Sequence, residues 1–173
     1  MRNILFTVFI YLICSISVSS QESSGIQFKS ITNGLGFYKL EKIKGKSGVS
    51  ASFQITFQIN NHLLASSFAV GYGVLNENEV LKNTIHAYVD INALYGRAFE
   101  LSDNFAFDLF SGIGYIEQTK LKSDKQGVSL NIPVRAKFMY VASQRTQLGI
   151  LSQYNFNKKN NIYMYQFFLQ FQF

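Results

Sequence analysis

From about Thr32 to Phe173, apolar and polar residues alternate one by one in segments separated by clusters of Asn, Asp, Ser, Gly and Lys. A period of two puts successive side chains on opposite faces of an extended chain, so the pattern predicts strands, not helices. The last segment is the plainest: Tyr163, Tyr165, Phe167, Leu169, Phe171 and Phe173 share one face, with Met164, Gln166, Phe168, Gln170 and Gln172 on the other. The sixth is nearly as regular, setting Val128, Leu130, Ile132, Val134, Ala136, Phe138 and Tyr140 against Ser129, Asn131, Pro133, Arg135, Lys137 and Met139. Eight such segments can be traced. The first, about Thr32 to Ile43, is the least regular, because Lys39 and Glu41 fall on the face that Leu35 and Phe37 would make apolar.

Parity tests whether consecutive segments pair as hairpins, since paired residues must point to the same side of the sheet. The second segment is apolar at odd numbers and the third at even, which requires an even turn; Asn60-Asn61 supplies it. Segments four and five are both apolar at odd numbers and need an odd turn, for which Ser102-Asp103-Asn104 stands in place. Segments six and seven, both apolar at even numbers, are joined by Ser143-Gln144-Arg145. The alternate connections, around Gly45, Leu75 to Thr84, Gln118 to Gln126 and Asn157 to Asn161, are on the whole longer and more polar. Short turns on one side and longer loops on the other are the rhythm of an up-and-down antiparallel barrel.

Eight strands enclose only enough room for their own side chains. Here the apolar faces carry bulk such as Phe105, Phe107 and Leu109, while the opposite faces carry Gly, Ala, Ser, Gln, Asn and ions. The bulky faces therefore belong outside, and outside they require lipid, because a closed barrel pairs its own backbone groups and can stand in hydrocarbon. Tyr72, Tyr95, Tyr115, Tyr140 and Tyr163 suit interfacial girdles. Were the bulky faces inside, the chain would be a soluble lipocalin-like carrier instead. Met1-Arg2-Asn3, the apolar run Ile4 to Cys14 and the small exit Ser15 to Ser20 read as a cleavable signal peptide, too short to span a bilayer. The expected layout is thus a signal at 1–20, a lead-in at 21–31, and an all-β, eight-stranded antiparallel transmembrane β-barrel at 32–173.

Composition agrees: 17 Phe and 10 Tyr accompany one Pro and no Trp, with charged residues at 15%. The net charge of +6 is modest and lies largely in segments read as loops, such as Lys120-Leu121-Lys122 and Lys158-Lys159, so nucleic acid is not an expected partner. The one cysteine, Cys14, sits in the leader, where bulky Ile13 disfavours lipidation and cleavage leaves the mature chain without a thiol.

The terminal run Tyr165 to Phe173, ending on an aromatic with apolar residues at every second position before it, resembles the signal by which outer-membrane barrels are recognised for assembly. The wider pattern, from about residue 32 onward, resembles the small OmpA-like and OmpX-like outer-membrane barrels of Gram-negative bacteria. That resemblance implies an outer-membrane location among lipids, with Phe167, Leu169, Phe171 and Phe173 presented to the barrel-assembly machinery, and a monomeric state.

Candidate chemistry is sparse. Asp108, Arg135 and Lys137 face the lumen, and pairing of segments five and six sets Asp108 opposite one of the two cations; Gln153 faces Arg135. A carboxylate and a cation in so narrow an interior should pair. The expectation is a structural plug of ion pairs and amides, the alternative an ion or proton path. Pro133 marks a bulge or loosening in its strand. Arg97 faces lipid by parity and belongs near an interface, unless Gly96 bulges. A lipid-modifying enzyme would need a nucleophile and base, and only His62 and His86 exist, with Ser111 and Ser129 as conceivable partners near the rim. No metal-ligand cluster, phosphate loop or dinucleotide fingerprint is present, so no cofactor or metal is expected. The reading is a non-enzymatic barrel with a plugged lumen in a structural or surface-interaction role, porin-like in fold.

Overall fold

Each alternating segment forms one strand, and the strands close on themselves. In the computed structural model, which describes residues 25–41, 47–73, 86–120, 123–158 and 160–173 without the side chains of 86, 120 and 123–126, the strands are β1 (Gln27–Leu40), β2 (Ser47–Ile59), β3 (His62–Gly73), β4 (His86–Ser102), β5 (Phe105–Lys120), β6 (Ser123–Ser143), β7 (Thr146–Asn157) and β8 (Ile162–Gln172). They form a closed barrel in chain order, every neighbour antiparallel. β8 returns to β1 from Ser30↔Gln172 to Leu40↔Ile162, which leaves no sheet edge. β1 begins at Gln27, inside the stretch expected to be lead-in. The expected leader with Cys14, and the connections around Gly45 and Leu75 to Thr84, lie outside the described residues.

The faces fall where the alternation puts them. Leu130, Phe167 and Ile113 are 79%, 75% and 72% exposed, and Phe105 and Phe171 also point outward. Their strand neighbours Asn131, Gln166 and Gln170 are buried. The bulky faces of the alternation coat the exterior, and Phe105, Leu130 and Phe171 do not converge on a centre, which removes the soluble-carrier arrangement. Every strand is at least as long as the roughly 9–11 residues that cross a hydrocarbon core at a tilt. Lys39 and Glu41, at the loop end of β1, are exposed. Glu41 is held there by the hydroxyls of Tyr154 and Tyr163, which donate at 3.1 and 3.2 Å, and by the Asn161 amide.

One tight turn is as expected and two differ in detail. Asn60-Asn61 joins β2 to β3, and Asn60 takes the left-handed φ of 53° that such a turn demands and Asn tolerates. The other two turns are also two residues long, Asp103-Asn104 and Gln144-Arg145, not three. The odd residue that parity requires is absorbed in the strand: the register shifts between Glu100 and Ser102 in β4 and between Val141 and Ser143 in β6. A bulge that sets two residues against one satisfies the same parity while letting the turn stay tight. Pro133 loosens β6 without bulging it. Pairing to β5 lapses between Ser111↔Val134 and Gly114↔Asn131 with no change of register, while Pro133↔Asn155 pairs on the β7 side. Gly96 keeps regular register, so no bulge turns Arg97 inward. Arg97 is exposed, opposite His62 at the start of β3, and the Ala98 N–H donates to the Asn61 carbonyl at 3.3 Å. The guanidinium thus stands beside the β2–β3 turn, level with the barrel's rim, where its stem can lie on apolar surface and its head reach water.

The outward face makes a measurable demand. Ile113 sits in the middle of β5, and Ile113→Arg is expected to lower folding stability in lipid vesicles by about 2–4 kcal/mol. Reversible denaturant titration checks this; a neutral effect would mean that the exterior at mid-strand meets water.

Candidate functional site

Among the described residues, polar side chains are concentrated and shielded in the lumen. Inward positions of β2, β3, β4, β6 and β7 bring Gln54, Ser67, Asp90, Asn92, Asn131, Arg135, Gln153 and Asn155 to one level of the axis, all buried. Asp90 is the hub. Its Oδ2 accepts N–H bonds from Asn92 at 2.9 Å, Gln153 at 3.0 Å and Asn155 at 3.0 Å, and its Oδ1 accepts from Asn131 at 2.9 Å. Arg135, wholly buried, donates through Nε to the Gln153 carbonyl oxygen, through one terminal nitrogen to Gln54, and through the other to Ser67 Oγ at 3.1 Å. Gln153 therefore stands between the ions, accepting from the guanidinium with its oxygen and donating to the carboxylate with its nitrogen. This arrangement compensates two charges whose desolvation would otherwise be prohibitive. Hydrogen bonds to charged groups are also the strongest available in so dry a place.

The register settles which cation faces Asp108, and with an unexpected result. Asp108 is opposite Lys137, whereas Arg135 is opposite Phe110 on β5 and Gln153 on β7. Asp108 and Lys137 nevertheless do not bond. The Lys137 ammonium reaches across to Thr32 Oγ1 at 3.1 Å and to the Gln170 carbonyl oxygen, with its Nζ 5.0 Å from the centre of the Phe168 ring. Neutral oxygens and an aromatic face satisfy that cation. Both carboxylate oxygens of Asp108 are buried and accept no hydrogen bond. The expected lumen pairing takes two forms: Arg135 is balanced through Gln153 by Asp90, while Asp108 faces Lys137 in register and feels its charge without a hydrogen bond between them. Asp90, missing from the expected set, carried a signal in sequence. It lies on the same inward face as Tyr88 and Asn92, and three amide residues, Asn131, Gln153 and Asn155, are placed inward on β6 and β7.

Apolar groups close the axis on the loop side. Tyr38, Leu40, Tyr88, Ile116, Ile162 and Met164 are buried together. The rings of Tyr38 and Tyr88 meet edge to face at 4.8 Å, and the Tyr88 hydroxyl donates to Met164 Sδ at 3.2 Å. Gly71 makes room for this: a Cβ there would lie 2.0 Å from the Tyr88 ring.

The residues considered for nucleophilic chemistry do not come together. Ser111 is exposed on the outer face at mid-strand, opposite Tyr95, and not near the rim. Ser129 donates to Asn157 Oδ1 at 2.8 Å. His62 Nδ1 is hydrogen-bonded to the Tyr95 hydroxyl on the exterior, their rings stacked at 5.7 Å. The His86 side chain lies outside the described residues. Among the described residues no group of three His, Cys, Asp or Glu could hold a metal ion.

No protein-family model matches the sequence, and no curated protein matches it. Solved structures do match in shape. Neisserial surface protein A superposes with a TM-score of 0.73 at 13% identity, over 86% of this chain and 99% of that one. Ail, the attachment invasion locus protein of Yersinia pestis, gives 0.56 at 12% identity, over 87% and 100%. The outer membrane enzyme PagL gives 0.50 at 13% identity, over 81% and 97%. The chain has the fold of the small eight-stranded outer-membrane β-barrels.

The Asp90–Arg135 assembly can be probed by double-mutant cycle. Arg135→Met alone is expected to destabilise the barrel by roughly 3–5 kcal/mol by leaving Asp90 uncompensated, and adding Asp90→Asn should restore part of that loss. Asp108→Asn should cost little or nothing. Strict additivity of the first pair in denaturation would show that the two charges do not communicate.

Proposed function

We propose that this chain is a non-enzymatic outer-membrane β-barrel with a plugged lumen, serving a structural or surface-interaction role. The observation that supports this most is the filled axis. Apolar side chains occupy the loop end, and the Asp90–Arg135 assembly with its amides occupies the middle. A porin leaves an aqueous channel only with many more strands. In this reading the protein is exported by its leader and enters the outer membrane through the assembly machinery. Phe167, Leu169, Phe171 and Phe173, all exposed on one face of the terminal segment, are the recognised signal. It works as a monomer among lipids, and its loops, on the side away from the tight turns, meet surface glycans or partner proteins. The names of two proteins of like fold, a surface protein and an attachment invasion locus protein, favour such a role.

An enzyme is the competing reading, since an outer membrane enzyme, PagL, shares the fold, and a lipid-modifying one is the form that a rim histidine would serve. Among the described side chains its requirements are unmet: the described histidine, His62, is bound to Tyr95 and not to a serine.

Cell fractionation tests the location. The mature protein is expected in the outer-membrane fraction, with a gel mobility that changes on boiling; recovery in the soluble periplasmic fraction would reject it. In planar bilayers the purified barrel should give little or no steady conductance, and large stable pores would contradict the plug. Lipid profiles should be the same for the wild type and His86→Ala, and a difference would favour the enzyme.

A further inference from the structure

The two ends of the axis are built differently. Buried apolar side chains occupy the loop end, while the end bearing the tight turns opens into a cup of about 810 Å³. Ligand pockets commonly fall between about 300 and 1,000 Å³. Buried Asp108, Met139 and Gln147 line its depth, and Glu100 and Asp103, exposed, stand at its mouth with Lys29.

Asp108 gives the cup its chemistry. It is 1% exposed, it lines the cavity, and neither of its oxygens accepts a hydrogen bond. Native interiors rarely leave an ionisable group so bare, and such an exception calls for an explanation. Lys137, its register partner, is held by Thr32 and Gln170. The amides of Asn92, Asn131, Gln153 and Asn155 donate to Asp90 instead.

We infer that the cup binds an organic ammonium cation, whose –NH3+ group docks on Asp108 while Glu100 and Asp103 draw it in at the mouth. Charge disfavours an anion, because among the described residues lining the cup Glu100, Asp103 and Asp108 stand against Lys29. A hard divalent ion does not fit either. Calcium takes roughly six to eight oxygen ligands, and among the described residues no three acidic, His or Cys side chains are grouped to supply them. An ammonium group has only three N–H bonds to place. One carboxylate and nearby amide oxygens such as those of Gln58, Gln147 and Gln172 can receive them. Ala98, Ala106, Met139 and Val141 provide apolar wall for a methylene stem. The ligand class is therefore a small alkylamine or oligoamine, and it enters from the side of the tight turns, opposite to the loops.

Methionine methyl labelling offers a direct test on the mature barrel in lipid nanodiscs. Met139 lines the cup, and Met164, packed against Tyr88 beyond the polar middle, serves as the internal control. An amino-substituted piperidine nitroxide is expected to broaden the Met139 methyl signal selectively. The uncharged hydroxy-substituted nitroxide should not, and spermidine should reverse the effect. Asp108→Asn should weaken the amine's effect roughly tenfold or more, the size expected for one charge-assisted hydrogen bond, with the Met164 signal unchanged as the mark of an intact fold. If that variant does not fold, the comparison of amine with neutral nitroxide at Met139 and Met164 in the wild-type chain decides alone. Equal broadening of both methyls, no broadening by the amine, or wild-type behaviour in Asp108→Asn would each overturn the proposal. So would displacement of the amine by calcium at lower concentration than spermidine.

Discussion

Every peptide group in hydrocarbon must find its partner within the protein, and for strands the only solution without an edge is closure. The β1–β8 ladder from Ser30↔Gln172 to Leu40↔Ile162 is what completes the cylinder. Once it exists, each side chain has two choices, lipid or lumen, and the choice is dictated by residue parity. A single insertion inside a strand would invert all that follows it. The two bulges that accompany the Asp103-Asn104 and Gln144-Arg145 turns lie at strand ends for this reason. There the extra residue corrects the count between strands without disturbing the lipid-facing rows.

Closure at eight strands also fixes how little the interior can hold. Large inward groups are admitted only where their neighbours are trimmed. Gly71 yields to the Tyr88 ring, and Gly114 lies between the amides of Asn92 and Asn131, where a Cβ would come within 1.9 and 2.3 Å of their oxygens. Because Gly114 has no side chain, Asn131 can reach both Asn92 and Asp90. Small residues inside and large ones outside are thus two expressions of one geometric limit. The same limit makes the polar middle rigid, since Arg135 has no space in which to exchange Gln54, Ser67 and Gln153 for other partners.

Faces and strand order were legible because alternation is a property of single strands and of hairpin neighbours. Leu130 against Asn131, or Phe167 against Gln166, can be sorted with no knowledge of the rest. The lumen assembly was legible only in part, because its partners come from across the barrel. Arg135 on β6 bonds Gln54 on β2 and Ser67 on β3, and Lys137 bonds Thr32 on β1 and Gln170 on β8. Neither set is adjacent in sheet order to its cation. Sequence spacing put Asp108 opposite Arg135 or Lys137, and the register makes it Lys137, but spacing could not say that the lysine's ammonium would bond Thr32 and Gln170. The early start of β1 was hidden because its first residues, Gln27 to Ser30, do not alternate cleanly. The register there shifts between Phe28 and Ser30, and the alternation resumes only beyond it.

The lumen holds two buried carboxylates with opposite surroundings, and the difference follows from position along the axis. Asp90 lies where walls converge from all sides, so four amide nitrogens and, through Gln153, a guanidinium can reach it. Asp108 lies nearer the tight turns, where it lines the cup and no amide donates to it. A group in the first setting is spent on holding the barrel together, since removing any partner strands a charge. One in the second contributes nothing to that network, and its desolvation persists because the rest of the barrel fixes the strand that carries it. A buried carboxylate without a hydrogen-bond partner, held in place by a rigid scaffold, is the arrangement by which binding sites are prepared in advance of their ligands. By that argument the chemical interest of this barrel lies at its open end, while its middle, for all its charges, is architecture.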